Sequence, residues 1–399
     1  MGIQPLTPHE SEHEELIQVC ARCFRAGDQE DLAIPHILGG PLYDISYARV
    51  IHDDGKIVSA LSILPREMWV RGAAMPLGGI SCVCTLPEYR QHGYAGMLCD
   101  DSIHRMHERG LCTSALMPFS YEYYGKFGWF EGGAALAYEA ALSDLPNYAE
   151  AADVRASEPG DLLAIAELQA GIVCGRTGYA PRSAQWWEVN REFRFGDIAV
   201  YDRDGIEGYI AYRLQPGAKG EDSVTPSRIA VCELVANSQR AARGLCGFLN
   251  RCSDRTEIMR WNTDTASLRA STLGSYPHTA RRQRMFMYRI VDLVEALRLL
   301  FDGKAPIAEP LKIRLLDEIG TWNECPVWIT PDGLSTKPVS TANHIEADIR
   351  HFSQLHIGYR TASELASLGL LTFSDPRALD LAEALFPRQE PFFPDPDSF

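Results

Sequence analysis

A surplus of positive charge is missing from this 399-residue chain: 38 lysines and arginines stand against 53 aspartates and glutamates, a formal net charge of -15 at pH 7. Such a balance offers nothing to neutralise a phosphate backbone, so nucleic-acid binding is set aside and a cationic partner suits the chain better. No apolar run approaches a membrane span. The N-terminal stretch carries Glu10, Glu12, Glu14 and Glu15 where a secretory signal needs basic residues and an apolar core. A cytoplasmic protein with no membrane partner is expected. The 11 cysteines are odd in number and scattered, which fits reduced thiols and not a disulfide framework. Cys20 and Cys23 form a CxxC, but no second CxxC completes four ligands. With Leu16, Val19 and Phe24 they follow the i, i+3, i+4, i+7, i+8 spacing of one helix face, so both are expected in the core. The histidines show no ligand spacing, and no metal is expected.

What the chain does have is length enough for two or three domains and one densely informative stretch, Gly78 to Gly96. Its first half is β-prone up to Thr85, and Pro87 ends the strand. Arg90, Gln91, His92, Gly93, Tyr94, Ala95 and Gly96 then combine small residues with a helix start, so that several backbone N–H groups can point at one anion. That is a cradle for a pyrophosphate. Upstream, Tyr47–His52 and Lys56–Leu64 flank Asp53-Asp54-Gly55, a hairpin signal, and Glu67–Val70 and Met75–Thr85 extend the sheet. Downstream, a helix buries Ala95, Leu98, Cys99, Ile103 and Met106 and stops at Gly110. Cys112–Met117 is the next strand. Pro118-Phe119-Ser120 and an aromatic segment, Tyr121 to Trp129, follow it; most of these rings are core, and Tyr124 is set apart by a hydroxyl able to carry a proton.

The spacing Arg90-x-x-Gly93-x-Ala95 after a strand and Pro87 resembles the acetyl-CoA motif of the GNAT N-acetyltransferases. The resemblance implies that Val83, Cys84 and Thr85 face the pantetheine arm with their backbone while the turn holds the pyrophosphate. It also implies a sheet splayed beside the next strand, so that Phe119 and Ser120 face the sulfur. The run Tyr124-Gly125-Lys126-Phe127-Gly128 is similar to the Y-G-x-F-G segment of the enhanced intracellular survival (Eis) family, whose tyrosine protonates the departing thiolate. Tyr124 holds that position here.

Past Asn147 the first domain repeats faintly. Ile198–Leu214 carries Asp204-Gly205 in its middle, and Val231-Cys232-Glu233-Leu234 matches Val83-Cys84-Thr85-Leu86, with Ser238 in place of Arg90 and Ala241 in place of Gly93. This copy is not expected to bind CoA. A third domain is expected from about residue 287, with a hairpin at Asp332-Gly333. Its Leu355, Gly358, Ala362, Leu365, Ala366 and Gly369 are similar to the sterol carrier protein-like domain that closes Eis chains. The expected architecture is therefore α+β: tandem GNAT folds over 1–147 and 148–286 and a sterol carrier-like domain over 287–399.

The resemblance further implies direct acetyl transfer from acetyl-CoA to a primary amine, a homo-oligomer built as a hexamer, and a chain end, Phe399, that enters the first domain's site. Where the family places acids for its substrate, this chain has Phe24 followed by Ala26, with Asp28 two residues on, and Ser398 between Asp397 and Phe399. Phe24, Asp28 and Asp397 form the expected substrate set. The amine is an aminoglycoside- or polyamine-like cation; a lysine-containing peptide and a non-catalytic acyl-CoA or lipid binder are the alternatives.

Overall fold

The computed structural model describes residues 3–24, 33–215, 217–219, 224–225, 227–254, 256–264, 279–284 and 286–398. Asp28 and Phe399 lie outside the described residues. The chain divides into two units: residues up to Gly132 together with Phe286–Gln389, and Gly133–Met285 together with Glu390–Ser398.

In the first unit, β1 (Ala48–Asp53) and β2 (Lys56–Val70) pair antiparallel across a two-residue Asp54-Gly55 loop. Both loop residues have positive φ, 49° and 74°, the conformation that Asp-Gly supplies readily and that matches the strand twist. Arg71-Gly72 makes the next hairpin, into β3 (Ala73–Thr85), so the two runs expected between Lys56 and Val70 form a single strand. Neighbouring residues of β2 feed opposite faces: Ile57 and Ala60 pack with Leu16, Val19 and Cys20 of helix α1 (His13–Phe24), and Val58 and Leu61 pack under a helix that follows β3. That helix, Tyr94–Glu108, buries Leu98, Cys99, Ile103 and Met106 and ends where Gly110 takes φ +71°. It carries the chain back to β4 (Thr113–Leu116), parallel to β3.

The next place in this sheet is taken by Met287–Ile290, antiparallel to β4 on one side and to Phe130–Glu131 on the other. Ala134–Ala141, which follows Phe130–Glu131 in the chain, belongs to the seven-stranded sheet of the second unit. The expected divisions at 147/148 and 286/287 thus do not follow the sheets, because strand pairing is non-local and the chain crosses over after Gly132 and returns at Phe286. In the second unit Val231, Leu234, Leu245 and Trp261 centre the core on the helix Gln239–Arg251. The remaining five-stranded sheet, built on Leu311–Leu316, is covered by Ile349–His356 and Pro376–Leu385 and lies in the first unit.

Candidate active site

β3 outruns its parallel partner. Only Leu77–Ile80 pair with β4, and beyond them the strand carries a bulge against β2, where Cys82 adopts φ 53°. The strand therefore leaves Ser81–Thr85 bordering an opening in place of a neighbour. Ser59 steadies that end, its hydroxyl donating to the Cys84 carbonyl at 2.7 Å and meeting Thr85 Oγ1 at 2.8 Å. Eight residues, Leu86–Gly93, join β3 to the helix, and within them Gln91 (φ 68°) and Gly93 (φ 82°) are both left-handed. Gly93 is the N-cap and has no side chain to satisfy the first N–H groups of the helix. An added Cβ there would meet nothing within 4 Å, so the cradle faces open space.

The cleft in front of this edge holds about 660 Å³ and is lined by Cys23, Phe24, Val83, Cys84, Thr85, Tyr89, Arg90, Gln91, Gly93, Tyr94, Ala95, Gly96, Phe119 and Tyr123. The expected cofactor residues thus converge, with two set apart. His92 turns back, its Nδ1 3.0 Å from the carbonyls of Tyr89 and Arg90 while its ring stacks on Tyr94, so it shapes the turn. Ser120 accepts a hydrogen bond from Tyr123 N at 3.2 Å and caps the helix Tyr121–Gly125. Arg90 donates to the Thr85 carbonyl at 3.3 Å, and Phe119 is 71% exposed at the rim.

Sequence reasoning passed over Tyr123. Its ring lines the cleft, and burial raises its phenol to about 12, with Cys99 adding to the effect. Tyr124 is only 3% exposed and packs edge-on against Phe119, Tyr123 and Trp129. Burial first, then Cys99 and Tyr123, raise its phenol well above the usual range. Its hydroxyl makes no hydrogen bond to a described residue.

The expected substrate residues scatter. Phe24 lines the cleft. Asp397 does not serve as an open carboxylate: its side chain is 1% exposed in the second unit, where it accepts from Arg182 Nε at 2.7 Å. Arg182 also holds Glu233 through two bonds of 2.9 Å, and Tyr209 donates to the same carboxylate. Withdrawing Asp397 toward a substrate would break a buried charge network, a change that costs several kcal/mol. The tail is fixed there too by Phe392 N to the Thr177 carbonyl and by Arg194 to the Ser398 carbonyl. Among the described residues, no group of three or more His, Cys, Asp or Glu is placed to hold a metal ion.

Comparison with known proteins identifies the domains. Acetyltransferase (GNAT) domain models match residues 3–131 and 178–290, and a sterol carrier protein domain model matches 291–394. The chain carries two acetyltransferase (GNAT) domains and a C-terminal sterol carrier protein domain, the make-up of an N-acetyltransferase. An uncharacterized N-acetyltransferase of Streptomyces avermitilis is 25% identical over 368 residues, 84% of each chain. The fold matches a GCN5-related N-acetyltransferase from Anabaena variabilis (TM-score 0.84, 20% identity, all of both chains) and Eis1 from Mycobacterium abscessus (TM-score 0.77, 19% identity, all of both chains). The first GNAT match stops at 131, one residue before the chain leaves the first unit.

The second GNAT domain shows what the first needs. Its strand Arg228–Ala236 is also bulged, at Cys232, but only Asn237 and Ser238 separate it from the following helix. The helix start aligns Ser238 with Gly93, not with Arg90 as the sequence register has it. Ser238 also accepts from Ala241 N, so this helix end satisfies itself. The turn is lost, not merely altered in two residues.

Proposed function

We propose that the first domain binds acetyl-CoA and transfers its acetyl group directly to a primary amine of a cationic small molecule. The observation that carries this reading is the pairing of an uncapped helix N-terminus at Gly93 with an open strand edge at Ser81–Thr85, both on one cleft. An anion is favoured at the first, and an extended amide-bearing arm can hydrogen-bond at the second. The neutral amine nitrogen attacks the thioester carbonyl, a strand N–H near Val83–Thr85 holds the oxyanion, the C–S bond breaks as the nitrogen releases its proton to solvent, and sulfur takes a proton. Tyr124 is the proposed proton donor: a phenol is protonated at neutral pH, and burial raises this one further. A second reading gives that role to Tyr123, because it lines the cleft. Phe24, Phe119 and Tyr123 would hold an ammonium against their ring faces, and the acidic chain favours its approach.

The test is acetyl-CoA binding by calorimetry, followed by thiol release with polyamines, aminoglycosides and lysine peptides. Binding should be strong in the parent and lost in Gly93→Asp, which sets a carboxylate against the pyrophosphate. Unchanged binding in that variant would overturn the cradle, and release with lysine peptides alone would move the substrate class to proteins.

A further inference from the structure

The CxxC of α1 lacks a partner in the sequence, and the fold supplies one. Residues two apart on a strand share a face, and Cys82 and Cys84 of β3 enter the same core layer as Cys20. The Cys84 and Cys20 sulfurs are 3.8 Å apart; Cys23 also faces the Cys84 sulfur, and Cys82 faces that of Cys20. Cys20 is fully covered, whereas Cys84 and Cys23 line the cleft. Two thiols at contact distance are placed for thiol–disulfide exchange.

We propose that Cys84 and Cys20 form a reversible disulfide on meeting a low-molecular-weight disulfide, and that this bond ties α1 to the cradle strand and stops transfer. The second half rests on the acetyl-CoA reading; the first does not. Cys84 is the entry thiol because it faces the cleft, and the thiols of Cys20 and Cys23 stabilise its thiolate by hydrogen bonding. The Cys84 thiolate attacks one sulfur of R–S–S–R, the S–S bond breaks, and RS⁻ leaves and takes up the thiol proton. Cys20 then gives up its proton as it attacks the Cys84 sulfur of the mixed disulfide, and the displaced second RS⁻ takes that proton. Two protein thiols are oxidised to one disulfide and R–S–S–R is reduced to two RSH. Closing the gap to a disulfide length of about 2.05 Å moves the sulfurs by less than about 2 Å.

The experiment incubates the reduced full-length chain with oxidised glutathione and maps peptides without reductant. A Cys20–Cys84 cross-linked peptide should appear and vanish with dithiothreitol, and acetyl transfer should fall in step with the linked fraction and return on reduction. Cys20→Ser should halt the sequence at a glutathione adduct on Cys84, whereas Cys23→Ser should still form the link. Glutathione confined to the exposed Cys174 and Cys325, with Cys20 and Cys84 still open to alkylation, would overturn the proposal. A linked protein of full activity would overturn its second half. Loss of acetyl-CoA binding in the reduced parent would instead count against the cleft reading, and the peptide map would still decide the disulfide.

Discussion

Tyr123 and Tyr124 stand side by side with ring centroids 5.3 Å apart, and only the first borders the cleft. If Tyr124 is the acid, Tyr124→Phe lowers turnover by about 10²-fold and leaves acetyl-CoA affinity intact, while Tyr123→Phe acts mainly on the Michaelis constants. Steady-state kinetics of both variants checks this, and the reverse pattern hands the role to Tyr123. A second residue-scale expectation concerns His356, fully buried with Nδ1 3.1 Å from the Tyr288 hydroxyl. Burial, helped by the charge of Arg71, pushes its pKa down to about 3. Below about 6.5 the unfolded chain takes up a proton that the folded chain refuses, so stability falls with pH until about 3, by about 2 kcal/mol at pH 5. Melting scans at pH 7 and pH 5 should show the loss, and His356→Gln should reduce it.

The elements explain which motif glycines serve chemistry and which serve packing. Gly128 closes the Y-G-x-F-G run at φ +85°, and a Cβ there would sit 1.8 Å from Arg289 Nη1. Arg289 has no room to yield: it is fully buried and donates from Nη2 to both Asp317 oxygens at 2.8 and 2.9 Å. Gly125 lies on a helix with nothing within 4 Å of the same added atom. Gly128→Ala should therefore cost about 3 kcal/mol or more, and Gly125→Ala should be neutral or slightly stabilising, read from denaturant midpoints. A drop in turnover for Gly125→Ala at full stability would mark that position as functional. The cradle follows the same logic, since Gly93 leaves its helix end uncapped while Ser238 caps its own.

At the scale of the first unit, Met287–Ile290 is the seam. It fills the sheet beside β4 while Arg289 reaches Asp317, Tyr288 reaches His356 and Ile290 N donates to Ser353 Oγ at 3.0 Å, so one strand ties the first GNAT sheet to the sterol carrier domain. A fragment of residues 1–147 lacks this strand, and although β4 keeps its β3 partner, the Thr113–Leu116 amides that face Met287–Ile290 should be left unprotected. Hydrogen exchange should find those amides fast in the fragment and slow in the whole chain; equal protection would show that the first GNAT sheet closes without it.

The sequence alone carries the local features. The Asp-Gly hairpins, the strand stop at Pro87, the amphipathic helix after the cradle and the left-handed turn that lines the cleft follow from φ preferences and from periodicity, which act over a few residues. The glycine spacing of Leu355–Gly369 is equally local, with Gly358 and Gly369 both at positive φ. Tertiary structure alone decided the rest. The pairing of Met287–Ile290 with β4, the burial of Asp397 against Arg182, the choice of Tyr123 for the cleft wall and the meeting of Cys20 with Cys84 join residues far apart in the chain or turn on how side chains pack. Strand partners, buried charges and thiol contacts are selected by the sum of packing and desolvation across a whole core, and that sum has no signature within any single stretch of sequence.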